Sequence, residues 1–439
     1  MTFDDFEEAT QRIRDAKNGI VQSSIIFKNQ LTDKPLSLNK RMRFGMGTYM
    51  LMTGPPGTGK TALVDAEFVL NPILDHITDP QKYPEICCMY RSMERPSVEK
   101  MTKWIAYMMY MATEGETLVD TATLLQHPNK KRLLTEEDIY LMDSLKDHMK
   151  EISKYLELLD TDTPEGIKNH ILKVLYNKGS YITADENHVY VNGIISDKKY
   201  DQVDAFGIKY AVFNFKSGKD LKVTPGFARF FPKKKNQVIM TVNDTVDTIT
   251  VPEGSDEFKT SNAHTNNMRA FRKAGALGII DIKQFSKESD KDLRSKHNTN
   301  LSVGLADIKG SASLGQNVDI AMSILDPTYF NLRTWGGNPG DGGWPDIDLE
   351  RYHGTFRLLQ IFKNSDGGSL YKMPTIFLGE IGFFHEIPQP KYHTERDYIE
   401  NNDKFLKHLH PENHQAVQLE AFIMERSNKP REINSKMPF

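Results

Sequence analysis

Residues 48–63 read Thr48-Tyr49-Met50-Leu51-Met52-Thr53-Gly54-Pro55-Pro56-Gly57-Thr58-Gly59-Lys60-Thr61-Ala62-Leu63. The apolar run from Tyr49 to Met52 has the length of a buried strand. Gly54, four further residues, then Gly59, Lys60 and Thr61 reproduce the spacing of a phosphate-binding loop between a strand and a helix. Gly54, Gly57 and Gly59 let the backbone curl tightly, so that its N–H groups converge on phosphate oxygens. A helix opening at Lys60 adds the positive end of its dipole. Lys60 can reach the β- and γ-phosphates, and the Thr61 hydroxyl can hold Mg²⁺. Gly54, Pro55, Pro56, Gly57, Thr58, Gly59, Lys60, Thr61 and Ala62 are therefore the expected nucleotide contacts, with ATP and Mg²⁺ as the ligands. The bland reading is a chance glycine-rich turn before a helix. It does not account for four fixed positions with a strand before them and a helix after.

Composition bounds the rest. The chain has 439 residues, 38% of them apolar and 26% charged, with a mean hydropathy of −0.52, as expected of a soluble protein with a sizeable core. That length allows two or three average domains, or one large one with insertions. The net charge of −3 gives no whole-chain nucleic-acid signal, so any DNA contact must come from local patches. The two cysteines, Cys87 and Cys88, are adjacent within an apolar run and read as core rather than metal ligands. No segment has the length and apolarity to span a membrane. The acidic start lacks a signal-peptide pattern, which places the protein in a reducing, cytoplasmic compartment.

Taken in order, residues 3–28 carry Phe6, Ile13, Ile20, Ile25 and Ile26 among charges and predict an amphipathic leader helix, within an N-terminal unit 1–34. Ile86 to Tyr90 predicts a second buried strand, followed by Arg91-Ser92-Met93-Glu94 and a helix from Val98 to Met111. A glutamate at such a strand end is usually a solvated loop group; after the second strand of a phosphate-binding fold, Glu94 can be a general base facing the γ-phosphate. Residues 113–177 read as helical, with start signals at Thr135 and at Thr163-Pro164. Residues 180–235 change character. Alternating and aromatic segments with Asn192-Gly193 and Ser217-Gly218 turns predict a small inserted β element that ends in Lys233-Lys234-Lys235.

Val238 to Asp244 is an apolar strand ending in an acid, as needed to position Mg²⁺ through water, with Asp247 as the rival carboxylate. Gly278 to Gln284 is another strand, and Gln284 can sense the γ-phosphate or bond to loop backbone. Residues 286–304 are polar, charged and aperiodic, a loop by composition. Asp319 to Leu325 predicts a further strand. A glycine-rich insertion occupies 328–353, and Phe356–Lys363 with Thr375–Leu378 predicts a terminal hairpin. Residues 386–439 read as a polar helical tail.

The order of these motifs resembles the RecA-like motor domain of DnaB-type replicative helicases, over roughly residues 35–385. Ser92-Met93-Glu94 is similar to that family's Ser-Leu-Glu-Met, Gln284-Phe285-Ser286-Lys287 to its Gln-Leu-Asn-Arg, and residues 307–319 to the stretch by its DNA loop. The resemblance implies an α/β fold with a RecA-like phosphate-loop core and a central, mainly parallel sheet, carrying the β insert and the leader. It implies an ATP-hydrolysing hexameric ring that moves 5′ to 3′ on single-stranded DNA, with a primase or loader as further partners. In that mechanism Lys60 and Thr61 hold ATP and Mg²⁺, Asp244 orients the metal and Glu94 polarises water. Gln284 then couples the γ-phosphate to a DNA grip made by Lys291, Arg294, Lys296 and Lys309, with Ser311 beside them.

Three departures stand out. The N-terminal helical domain of bacterial members has no counterpart in this sequence, as in reduced phage helicases, and a phage source is expected. The family's Lys-x-Arg pair, which reaches the neighbour's nucleotide, reads Lys363-Asn364-Ser365; Arg357, six positions before Lys363 and so on the same strand face, is the expected substitute. The metal-site acid has unfamiliar neighbours in Asn243 and Thr245. Two other classes remain open: a recombinase-like ATPase that does not unwind, and an assembly protein that keeps ATP to lock a ring.

Overall fold

The computed structural model describes residues 24–92, 97–128, 130, 132–203, 207–214, 220–286, 301, 303–308, 312–336, 346–352, 354–365, 367 and 371–392. Its centre is a nine-stranded sheet. In chain order the strands are β1 (Tyr49–Gly54), β2 (Glu85–Ser92), β3 (Leu156–Leu158), β4 (Gln237–Asp244), β5 (Gly278–Gln284), β6 (Ile320–Leu325), β7 (Phe356–Asn364), β8 (Tyr371–Leu378) and β9 (Phe383–Glu386). Across the sheet they run β9-β8-β7-β6-β1-β5-β4-β2-β3. The six from β6 to β3 are parallel; β7, β8 and β9 add an antiparallel edge.

Strands covered on both faces must be apolar throughout, and β1, β4 and β6 are buried along their whole lengths. Helices do the covering, among them α1 (Ser97–Ala112), α2 (Pro164–Lys178) and α3 (Glu257–Lys273). Thr163 caps α2 with its side chain, accepting from the Gly166 N–H, and Pro164 takes the first turn, where a missing N–H costs nothing. A Thr135–Asp138 capping box opens Glu136–Ser144. Cys87 and Cys88 are buried free thiols in β2.

Residues 179–232 form two small antiparallel sheets with their own core of Ile182, Val189, Ala211 and Val223. Asn192 and Gly193 have φ of 52° and 76°, the two positive values that a tight hairpin turn with right-handed strand twist requires.

The structure corrects three expectations. The leader is not helical at its end: Ser24–Ile25 pairs antiparallel with Phe44–Gly45, and Phe27 is buried with its ring 4.9 Å from that of Phe68. Asn29 also bonds His385, 2.9 Å away, so the packed unit begins before residue 35. Residues 1–23 lie outside the described residues. Secondly, the stretch 113–177 is not wholly helical. Leu156–Leu158 adds the outermost parallel strand, beside β2. Thirdly, β7 bulges: Ala321 pairs with Lys363 and Met322 with Ile361, which leaves Phe362 as the extra residue. The bulge reverses the side-chain alternation, so Arg357 and Lys363 occupy opposite faces. Residues 337–345 of the glycine-rich insertion and 393–439 of the tail are outside the described residues.

Candidate active site

The phosphate loop leaves β1 at Gly54 and enters the helix at Lys60. Gly54 has φ 151°, and a Cβ there would stand 2.4 Å from the Ile324 carbonyl oxygen of β6, so the loop lies against the sheet only because this residue is glycine. Gly57, at φ 75°, has nothing within 4 Å of its Cβ direction, which leaves the hollow of the loop open. Lys60 is buried and folds back over the loop, donating to the carbonyl oxygens of Gly54 at 3.0 Å and Pro55 at 2.8 Å. Thr58 closes the turn with a bond to Pro55 O. A buried ammonium resting on two loop carbonyls beside an open hollow fits a triphosphate.

Beyond the loop, the Thr61 hydroxyl donates to Asp244 Oδ1 at 2.9 Å. This joins the start of the helix to the end of β4, two elements 183 residues apart, and makes the oxygen pair that a hard divalent cation takes. Asp244 is therefore the carboxylate at the hydroxyl. Its rival Asp247 is engaged elsewhere, accepting from the Gln284 N–H at 3.1 Å with Lys283 4.0 Å away. Gln284 is level with Gly54 in the β5–β1 ladder, next to the root of the loop. Ser92 is level with Asp244, so the chain toward Glu94 leaves the sheet beside the same carboxylate. Glu94 itself, and Lys291, Arg294, Lys296, Lys309 and Ser311, lie outside the described residues.

Several supporting residues carried no signal recognised in the sequence. Arg91 is fully buried and donates to the carbonyl oxygens of Thr245 at 2.8 Å and Thr248 at 2.9 Å, which pins the turn after Asp244. One position before Asp244, Asn243 donates to Asp281 Oδ1 at 2.7 Å, and Asp281 also receives Tyr49 Oη at 2.6 Å and faces His264 Nε2 at 3.1 Å. Burial pushes the Asp281 carboxyl up, but His264 and the hydrogen bonds outweigh it and hold the group below the usual carboxylate range. On the other side, Asp65, Tyr90, Lys100 and Trp104 form a buried cluster against Asp244. The signal available for Lys100 was its place in the apolar stripe of α1, in step with Trp104, Met108 and Met111. Glu67 is buried in a π-helical stretch, Val64–Leu70, and burial pushes its carboxyl up to about 8.

Arg357 is not placed as a finger for a neighbouring subunit. It is buried behind its own phosphate loop, donating through Nε to Thr58 O at 3.2 Å and pairing with Asp326 at 3.1 Å. On the opposite face, the Lys363 amine donates to Gly315 O at 2.8 Å and Gln316 O at 3.1 Å, at the end of the helix Ala312–Asn317.

The same architecture occurs in solved structures. One of them, an ATPase domain solved by itself, matches with a TM-score of 0.53 at 12% identity, covering 87% of this chain and 99% of that one. The chain has a RecA-like ATPase fold. A DnaB-like replicative helicase, solved to show its interactions with primase, matches with a TM-score of 0.47 at 12% identity; 78% of this chain is covered, and the chain spans 57% of that protein's length. No family model and no curated protein matches the sequence. The resemblance to the DnaB-type motor, read from the motifs, thus meets its counterpart at the level of fold. Among the described residues no helix is long and apolar enough to cross a membrane.

Proposed function

We propose that this protein is an ATP-dependent replicative DNA helicase that translocates on single-stranded DNA as a hexameric ring. The observation that carries the proposal is the convergence of Lys60, Thr61 and Asp244 at the ends of β1 and β4, with Gln284 level with Gly54. Lys60 and the loop N–H groups bind and orient the triphosphate. Thr61 and Asp244 are the residues that would hold Mg²⁺, which supplies positive charge against the phosphates when bound. Glu94, leaving the sheet beside Asp244, takes the proton of the attacking water. Gln284 stands between the phosphate loop and the segment with Lys291, Arg294, Lys296, Lys309 and Ser311, which grips the DNA backbone without reading sequence. A primase or loader would be its partner, and the host cytoplasm its setting if it is phage-encoded.

Ser365, standing where the motor family has an arginine, favours one second reading: a recombinase-like ATPase that does not unwind. ATP hydrolysis measured with and without single-stranded DNA, followed by displacement of a strand from a forked duplex, separates these readings. DNA-stimulated hydrolysis with unwinding supports the helicase. Hydrolysis without unwinding supports the second reading. ATP binding without hydrolysis would leave an assembly protein locked by nucleotide.

A further inference from the structure

Asp244 presents two oxygens to two environments. Oδ1 faces the Thr61 hydroxyl. Oδ2 faces inward, 3.6 Å from the Lys100 ammonium and 3.4 Å from Tyr90 Oη. Lys100 also lies 3.2 Å from Asp65 Oδ1 and 3.7 Å from the centre of the Tyr90 ring. Asp65 is in turn held by Tyr90 Oη at 2.7 Å and Trp104 Nε1 at 3.0 Å. All three charged side chains are 5% exposed or less.

Two carboxylates this deeply buried, without a cation, would repel each other and resist ionisation, because burial penalises unpaired charge. One ammonium between them removes that penalty. An aromatic face beneath the ammonium adds to its retention at no cost in carboxylate charge. Lys100 approaches from α1, the helix that follows the Glu94 segment, whereas Asp65 belongs to the helix that follows the phosphate loop. The lysine therefore ties together the two elements that flank the nucleotide site.

We propose that Lys100 is a positioning residue: it is the internal counter-ion of Asp65 and Asp244, and it fixes the Asp244 carboxylate with Oδ1 turned to Thr61 before nucleotide or metal arrives. This rests on reading Asp244 as the metal-site carboxylate. Two consequences follow from a resident positive charge so close to that site. It keeps the nucleotide-free protein stable without a divalent ion, and it competes electrostatically with one.

The test compares the full chain with Lys100→Met, Lys100→Arg and the double variant Asp65→Asn/Lys100→Met, by thermal unfolding without nucleotide, in EDTA and across a Mg²⁺ titration. Lys100→Met should unfold at lower temperature in EDTA and gain more from Mg²⁺ than the wild type does. Its half-effect Mg²⁺ concentration should fall about tenfold, the scale on which groups just outside a ligand shell act. Lys100→Arg should restore the wild-type response, and the double variant, with one carboxylate charge removed, should recover most of the lost melting temperature in EDTA. Equal Mg²⁺ responses in wild type and Lys100→Met, with no recovery in the double variant, would reduce Lys100 to a packing role and overturn the proposal. If Lys100→Met does not fold, the double variant decides: a folded double variant supports charge pairing, and an unfolded one overturns it. Binding of a fluorescent ADP analogue to the wild type is measured in parallel. If the wild type binds no nucleotide, the ATPase reading fails, while the EDTA melting comparison still reports on the counter-ion.

Discussion

The Thr61 hydroxyl and the Asp244 carboxylate meet at 2.9 Å across the gap between the phosphate-loop helix and β4. The contact orients both groups before a cation binds, and outer partners hold the same carboxylate from behind. Asp244→Asn preserves the shape and an oxygen for Thr61 to donate to, but removes the charge. Nucleotide affinity without Mg²⁺ should change little, while the gain in affinity on adding Mg²⁺ should fall about tenfold or more, since even outer-shell changes cost that much. Titration of a fluorescent ADP analogue with and without Mg²⁺ checks this. An unchanged Mg²⁺ gain would move the metal site elsewhere, with Asp247 the next carboxylate to test.

Lys60→Ala removes an ammonium that rests on the carbonyl oxygens of Gly54 and Pro55. Those carbonyls line an open loop and can bond water instead, so the melting temperature should stay near that of the wild type. Nucleotide binding should be lost, because the phosphate charge then has no lysine partner. Isothermal titration with ATP analogues provides the readout, and native affinity in the variant would refute the phosphate-loop assignment.

Glu67 gives the fold a pH dependence of its own. Its carboxyl is raised from 4.5 to about 8, chiefly by burial, with Asp75 adding repulsion and a hydrogen bond from Asn71 opposing. In the unfolded chain the group ionises near the ordinary value, so between these two values the unfolded state binds fewer protons than the folded one. Stability contributed by this group is thus complete at low pH and is lost as pH rises from about 4.5 toward 8. Over that whole interval the loss is on the order of 3–5 kcal/mol. Glu67→Gln cannot ionise, so its melting temperature relative to the wild type should climb steadily from pH 5 to pH 8. A constant difference across that range would contradict the assignment.

What the sequence revealed, and what it hid, follows from how each feature is encoded. Runs such as Tyr49–Met52 and Val238–Val242 are strands buried on both faces, and continuous apolarity is a local signal. The phosphate loop is legible because its geometry demands glycine at fixed places. Leu156–Leu158 escaped because three residues, Leu-Glu-Leu, are too short for any period, and their pairing with β2 is wholly tertiary. Ser24–Ile25 escaped for a similar reason: the isoleucine spacing suits a helix, but the hydrogen-bond partners of the segment lie about twenty residues on, at Phe44–Gly45. The error over Arg357 and Lys363 came from counting positions through a bulge, which the composition of β7 does not announce. Lys100 escaped because a single charge in an apolar stripe reads equally as a helix edge; only the fold brings Asp65 and Asp244 to it.

That correction turns one expectation about a shared site into two separable ones. Arg357 supports the phosphate loop of its own chain: its Nε donates to Thr58 O, Nη1 donates to Gly354 O at 2.6 Å and pairs with Asp326, and burial lowers its affinity for a proton. Removing it leaves Asp326 without its cation and Thr58 without its donor, and losing one partner of a largely buried pair costs about 3 kcal/mol. Arg357→Gln should therefore lower the melting temperature by several degrees and weaken nucleotide binding in the same subunit. Mixing it with Lys60→Ala protein should restore nothing, because both defects lie at one loop. Lys363 faces the other side of the sheet, against the end of the helix Ala312–Asn317. If it serves a neighbour's nucleotide, Lys363→Ala should bind ATP as tightly as the wild type and hydrolyse it more slowly. The charge that a trans-acting arginine supplies in other NTPases contributes ~10³–10⁵ in rate, so a lone lysine in that place should matter measurably. Mixtures of Lys363→Ala with Lys60→Ala should then regain activity, since some interfaces pair an intact loop with an intact lysine. Normal hydrolysis by Lys363→Ala would confine this lysine to capping its helix and remove the shared site from the mechanism.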